Sequence, residues 1–189
     1  MKRLTKINAF FTPGKQCYSE VLLSHPMAEN LFIPVSVDRE TIFKAIIPQM
    51  KELIRGEKNF IANCANGMAV LKSAFNFHWV GCYFVENYEL VLGPFQGPVA
   101  CTRIQKGKGV CGAAWEKNET IIVPDVEQFP GHIACSALSK SEIVVPIHDS
   151  RGEIIGVLDI DSDRSDDFSE TDKFYLEQIV DLLASSYVG

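Results

Sequence analysis

Three cysteines stand in or beside glycine-containing segments, Cys101, Cys111 and Cys135, and three carboxylates follow them in the chain, Glu142, Asp159 and Asp161. A thiol attacks only as its thiolate, and a helix start favours that form through unpaired N–H groups and the backbone dipole. Gly109-Val110-Cys111-Gly112 puts Cys111 at such a start, so the sequence predicts a lowered thiol pKa there. Cys135 follows the Pro130-Gly131 turn. Glu142 opens an apolar run, Ile143-Val144-Val145, which makes it either an edge residue or a functional one. Asp159 and Asp161 alternate with Ile160, so on a strand both face the same side. Like charges crowded there raise one pKa and hold a proton available near neutral pH. Trp79 and Tyr83 share a strand parity, which suits either core packing or the walls of a pocket. A nucleophilic thiol beside an acid is the chemistry these residue types support.

Composition bounds the setting. The chain has 189 residues, 18 Lys plus Arg against 24 Asp plus Glu, and a formal charge of −6. No basic cluster is present, which argues against nucleic acid and against an anionic membrane surface as partner. The apolar share of 47% supports one globular core and excludes a disordered chain. No apolar window reaches the length of a membrane span, about 18 residues. Six cysteines in a chain this long are too sparse for a disulfide scaffold. Met1-Lys2-Arg3-Leu4 leads into no apolar h-region, so the expected location is the reducing cytoplasm. An acid-free start up to Glu20 leaves a mitochondrial presequence as the other reading, against which scarce arginine and serine weigh.

The elements follow from periodicity. Residues 1–37 lack a clear pattern and read as an N-terminal extension, with a single domain over 38–189. Ile42, Ala45, Ile46, Met50, Leu53 and Ile54 recur at helical spacing, and Phe60, Cys64, Met68, Leu71 and Phe75 mark a second helix capped by Asn59. Cys64 falls on the apolar face of that helix, as a buried small hydrophobe. Strands are expected at 79–85, 89–92, 99–104, 120–123, 141–147 and 153–160, with a short helix at 112–117. A closing helix over 172–187 takes Thr171 or Ser169 as its cap. The sum is an α+β fold: a central antiparallel sheet of about six strands flanked by N-terminal helices and a C-terminal helix.

Other motif matches fail on context. Gly107-Lys108-Gly109-Val110-Cys111-Gly112 has the G-x-G-x-x-G form, but the polar Thr102–Lys106 stretch before it is no buried strand and the helix after it is too short for a crossover. Asp159, Asp161, Asp163, Ser165, Asp167 and Glu170 have the spacing of a calcium loop, but Arg164 stands where glycine is needed. His132 and Cys135 with Cys101 and Cys111 offer zinc-type ligands, but no C-x-x-C pair exists in the chain. Neither a metal nor a cofactor is expected.

Five segments taken in order resemble a known family: Leu92-Gly93-Pro94-Phe95-Gln96-Gly97, the Gly107-to-Gly112 loop, Phe129-Pro130-Gly131-His132-Ile133-Ala134-Cys135, Ser141-Glu142-Ile143-Val144-Val145-Pro146 and Gly156-Val157-Leu158-Asp159-Ile160-Asp161-Ser162. They are similar to the free methionine-(R)-sulfoxide reductases, which are built on the GAF fold. The resemblance spans 38–187. Cys82 departs from it, since the family usually has an aromatic residue there.

The resemblance implies reduction of free L-methionine-(R)-sulfoxide to methionine. A thiolate attacks the sulfoxide sulfur, an acid protonates the oxygen, and a sulfenic acid remains on the cysteine. A second cysteine then forms a disulfide, which thioredoxin reduces in this family. By the resemblance Cys135 is the nucleophile and Cys101 its resolving partner, whereas the sequence argument alone favours Cys111. Glu142, Asp159 and Asp161 match the family's pocket carboxylates, and Trp79 and Tyr83 its aromatic walls. A homodimer is the usual family assembly.

Two other readings compete. A GAF sensor domain would bind a small ligand without turnover and needs no loop cysteines. A thiol switch that merely cross-links needs no pocket carboxylates.

Overall fold

The structure, a computed structural model, describes residues 31–35, 38–131 and 137–188. Cys135 and His132 therefore lie outside the described residues, as does Cys17. Among the described residues no helix is long and apolar enough to cross a membrane.

Two N-terminal helices form where the 3.6-residue period places them. Helix α1 covers Arg39–Leu53 and buries Ile42, Phe43, Ile46 and Met50, with Asp38 capping its first turn. Helix α2 covers Phe60–Phe75, and Asn59 Oδ1 accepts from Ala62 N at 3.0 Å, as the sequence predicts. Cys64 is fully buried on its inner face. Ahead of α1, Leu31 and Ile33 already pack against the core, and Gln49 of α1 exchanges hydrogen bonds with both backbone groups of Phe32.

The sheet has six strands: β1 Trp79–Glu86, β2 Glu89–Gln96, β3 Arg103–Gln105, β4 Ile121–Val123, β5 Ser141–His148 and β6 Ile154–Ser162. Their spatial order is β3-β2-β1-β6-β5-β4, and every pairing is antiparallel. The expected α+β architecture is present. Two details differ. The strand expected at 99–104 is only β3, because Pro98, Val99 and Ala100 leave the sheet to line a cavity. The short helix expected at 112–117 begins earlier, as α3 Gly109–Lys117, since Gly109 supplies the positive φ of 60° that turns the chain into it. The closing helix α4 spans Glu170–Ala184, with Ser169 and Asp172 forming a reciprocal capping box.

Alternation along the strands divides the core in two. Val80, Cys82, Ile143, Val145, Ile147, Leu158 and Ile160 face α1, α2 and α4. Trp79, Tyr83, Val144 and Val157 face the opposite way, onto the shorter α3. On the first side Arg39 ties α1 to the C-terminal region: it pairs with Asp167 at 2.8 Å and Asp172 at 2.6 Å and lies over the rings of Phe75, Phe77 and Phe168. Asp167 also accepts from Ser162 Oγ at 2.6 Å. The second side holds the chemistry.

Candidate active site

Antiparallel register brings the sequence-distant carboxylates together. Glu142 on β5 is the cross-strand partner of Asp161 on β6, and Asp159 is paired with Val144 on one side and Gly81 on the other. Trp79 stands opposite Asp161 across β1 and β6. Because the side-chain period of a strand is two, Trp79, Tyr83, Glu142, Asp159 and Asp161 all emerge on the α3 face. They line one cavity with about 570 Å³ of empty space, its open mouth included; the first turn of α3, the 98–100 loop and Ser139 complete the lining.

The acids are crowded and dry. Glu142 is 6% exposed and Asp159 7% exposed. The Cys111 thiol donates toward Glu142 Oε1 at 4.0 Å, and Cys111, Glu142 and Asp159 all present a polar atom within 4.8 Å of one another. Asp159 Oδ1 is buried with no hydrogen-bond partner. Burial first, and then the charges of Asp159 and Asp161, push the Glu142 carboxyl well above its usual range. Burial and Asp161 do the same to Asp159. Asp161 is raised to about 6, chiefly by burial, with a hydrogen bond from Ser139 and the charge of His78 opposing the shift. The expectation of a protonated acid near neutral pH stands, with desolvation the larger cause.

One expectation is reversed. Cys111 does sit in the first turn of α3, but its thiol is pushed well up, not down. Burial is the main cause, and the Asp159 and Glu142 charges add to it. A helix start is worth about 1 kcal/mol at most sites, too little against desolvation and adjacent carboxylates. Cys101 is disulfide-bonded, while Cys64, Cys82 and Cys111 are free and buried.

The aromatic wall is held by details that sequence patterning does not expose. Trp79 stacks on Tyr83 at 5.9 Å and on Phe95 at 5.5 Å between centroids, and donates its indole N–H to Pro98 O at 3.1 Å. A Cβ at Gly81 would lie 2.3 Å from Trp79 Cη2, so the indole occupies the space a side chain would fill. Tyr83 donates its hydroxyl to Cys101 O at 3.1 Å, linking the wall to the cysteine loop. Burial, then the charge of Asp159, pushes the Tyr83 phenol up, so it stays a donor. Lys108 and Ser139 also line the cavity, and the sequence reading singled out neither as a site residue, although Lys108 lies inside the Gly107-to-Gly112 motif. Both are polar loop residues of a kind common on any surface.

The arrangement supplies two aromatic faces for an apolar chain, a cluster of acids for a cation or a proton transfer, and the Cys111 thiol in its wall. Comparison with known proteins shows the family. The GAF domain family model matches residues 64–186. GAF domain-containing protein A of Dictyostelium discoideum is 58% identical over 158 residues, 83% of this chain and 99% of its own length. The free methionine-R-sulfoxide reductase of Saccharomyces cerevisiae is 40% identical over 169 residues, 85% of this chain and 94% of its own. Among solved structures, the free methionine-R-sulfoxide reductase of Neisseria meningitidis in complex with its substrate matches with a TM-score of 0.80 at 48% identity, covering 83% of this chain and 94% of that one.

Proposed function

Since this chain belongs to the GAF-domain family of free methionine-R-sulfoxide reductases, we propose that it is an oxidoreductase that reduces free L-methionine-(R)-sulfoxide to L-methionine. The observation that carries the reading is the convergence of Trp79, Tyr83, Glu142, Asp159 and Asp161 on one cavity. Trp79 and Tyr83 flank the thioether chain, and Asp159 with Asp161 receives the ammonium. Glu142, whose carboxyl holds its proton, donates it to the sulfoxide oxygen as the S–O bond breaks.

The nucleophile in this reading is Cys135, with Cys101 resolving. Its thiolate attacks the sulfoxide sulfur as Glu142 protonates the oxygen. The S–S bond so formed and the S–O bond then break as the hydroxyl passes to Cys135 Sγ. Methionine leaves with two more electrons, and Cys135 is left as a sulfenic acid. The Cys101 thiol condenses with it, releasing water and forming a disulfide that a thioredoxin-class dithiol reduces. The raised Cys111 thiol supports a secondary role for that residue. Turnover in the cytoplasm, as a homodimer, fits a cysteine set that must be re-reduced.

The test is direct. Purified protein is incubated with free L-methionine-(R)-sulfoxide and dithiothreitol, and methionine is quantified by chromatography. Release from the R epimer with none from the S epimer or from a methionine sulfoxide peptide is expected. No methionine from the R epimer overturns the reading.

A further inference from the structure

We propose that Cys111, Glu142 and Asp159 form a binding site for a borderline divalent cation, with Zn2+ as the type, which takes the cavity in competition with substrate. Each ligand comes from a different element: Cys111 from α3, Glu142 from β5 and Asp159 from β6. One thiol sulfur and two carboxylate oxygens lie within 4.8 Å of one another, and Cys111 Sγ stands 4.0 Å from Glu142 Oε1. Tetrahedral zinc, with bonds of about 2.3 Å to sulfur and about 2.0 Å to oxygen, sets sulfur and oxygen about 3.5 Å apart. A shift of about 0.5 Å, within the torsional freedom of the Glu142 chain, closes the difference.

The independent sign of a ligand is Asp159 Oδ1, which is buried without a hydrogen-bond partner on a residue 7% exposed. All three residues line the cavity, so a cation reaches them through its open mouth. Among the described residues no Lys, Arg or His forms an ion pair with Glu142 or Asp159. Buried carboxylates without a cationic side chain are satisfied by protons, by a bound ammonium or by a metal. The thiol decides among metals: Mg2+ and Ca2+ take oxygen ligands, whereas sulfur beside carboxylate oxygen suits Zn2+.

Binding is a proton exchange with no change of oxidation state. The Cys111 S–H and any carboxyl O–H give their protons to solvent, one Zn–S and two Zn–O bonds form, and water takes the fourth position. The cation and the substrate ammonium claim the same Asp159 oxygen, and Zn2+ on Glu142 removes the proton that the sulfoxide oxygen requires. This inhibitory half rests on the proposed reductase reading, whereas the binding half does not. The three ligands are far apart in the chain, so no spacing motif announces them.

The test titrates metal-free protein, reduced with a phosphine, with Co2+ as spectroscopic probe and then with Zn2+. One equivalent of Co2+ should bind and give a thiolate-to-cobalt charge-transfer band, which one equivalent of Zn2+ bleaches. Cys111→Ser should lose the band, and Glu142→Gln and Asp159→Asn should each weaken binding at least about tenfold while melting as folded proteins. Cys101→Ser and Cys135→Ser should retain both band and affinity. A band kept in Cys111→Ser, a band lost in Cys135→Ser, or unchanged affinity in Asp159→Asn overturns the site. Should Cys111→Ser fail to fold, the Asp159→Asn affinity decides. Single-turnover methionine release at low sulfoxide should slow at least about tenfold with one equivalent of Zn2+ and recover at high sulfoxide. Slowing that high sulfoxide does not relieve overturns the competition. Cation binding at these residues with no methionine release by the metal-free protein overturns the reductase reading and leaves the site standing; turnover without cation binding does the reverse.

Discussion

Glu142 and Asp161 are directly paired across β5 and β6, two carboxylates at one rung of an antiparallel ladder. Such a rung is destabilising when both are charged. Here burial and Asp159 nearby hold protons on the cluster instead. Burying such a pair costs stability, and that cost is the ground on which the pair is proposed as functional.

That cost predicts a pH dependence of folding. The Asp161 carboxyl is raised from 3.8 to about 6, so between those values the folded chain binds a proton that the unfolded chain has released. Stability must fall as pH rises through that window, by about 1.4 kcal/mol per pKa unit before any solvent screening. Urea unfolding at a series of pH values should show the decline in wild type and a flatter profile in Asp161→Asn. An Asp161→Asn protein less stable than wild type at pH 8 would contradict it.

Glu142→Gln separates folding from turnover. Replacing the protonated carboxyl by an isosteric neutral amide should leave the chain as stable as wild type at neutral pH. Loss of the proton donor should lower kcat by about a hundredfold or more. Thermal melting and steady-state assays on the same preparation read both.

The cysteines should divide by role. Cys135→Ser is expected to abolish methionine release in a single turnover without reductant, while Cys101→Ser releases one methionine per chain. A stoichiometric burst from Cys135→Ser would transfer the nucleophile's role to Cys111. Alkylation rates against pH provide a check, since Cys111 should react only well above neutral pH.

Gly81 should tolerate no side chain at wild-type efficiency. The alanine Cβ would fall 2.3 Å from Trp79 Cη2 and 2.6 Å from Phe95 Cβ. Gly81→Ala is expected to displace the indole, raising KM for the sulfoxide and shifting the tryptophan emission. Unchanged emission and KM would show that the wall is not fixed in this way.

Arg39→Met should destabilise without touching the cavity. It strips Asp172, which is 1% exposed at the side chain, of its cationic partner and frees the α1–α4 contact. Removal of one partner from a pair so buried costs about 3 kcal/mol. A denaturant midpoint equal to that of wild type would show that neither the ion pairs nor the ring contacts of Arg39 hold α1 in place.

Much of this architecture is written in local patterns. Alternation through Asp159-Ile160-Asp161 assigned both acids to one face, and the helical periods of α1, α2 and α4 need no tertiary information. Cross-strand partners are different: nothing near Glu142 in the chain says that Asp161 stands opposite, because register is set only when the sheet assembles. Cys111 shows the same limit. Its helix start is local and readable, whereas the carboxylates that oppose it arrive from β5 and β6. Gly81 and Lys108 were missed because one acts by an absent side chain and the other is an ordinary surface residue until a cavity forms beside it.

The strand order carries a consequence for biogenesis. β1 is central and its neighbour is β6, the last strand made, so Trp79 meets Asp161 only after nearly the whole chain exists. Early-made β1 and β2 can form a hairpin, but the pairing that builds the cavity closes a loop of high contact order. A ribosome-bound fragment ending before β6 therefore carries its thiols and indole with no acid wall beside them. The cavity stays incomplete until synthesis is almost finished.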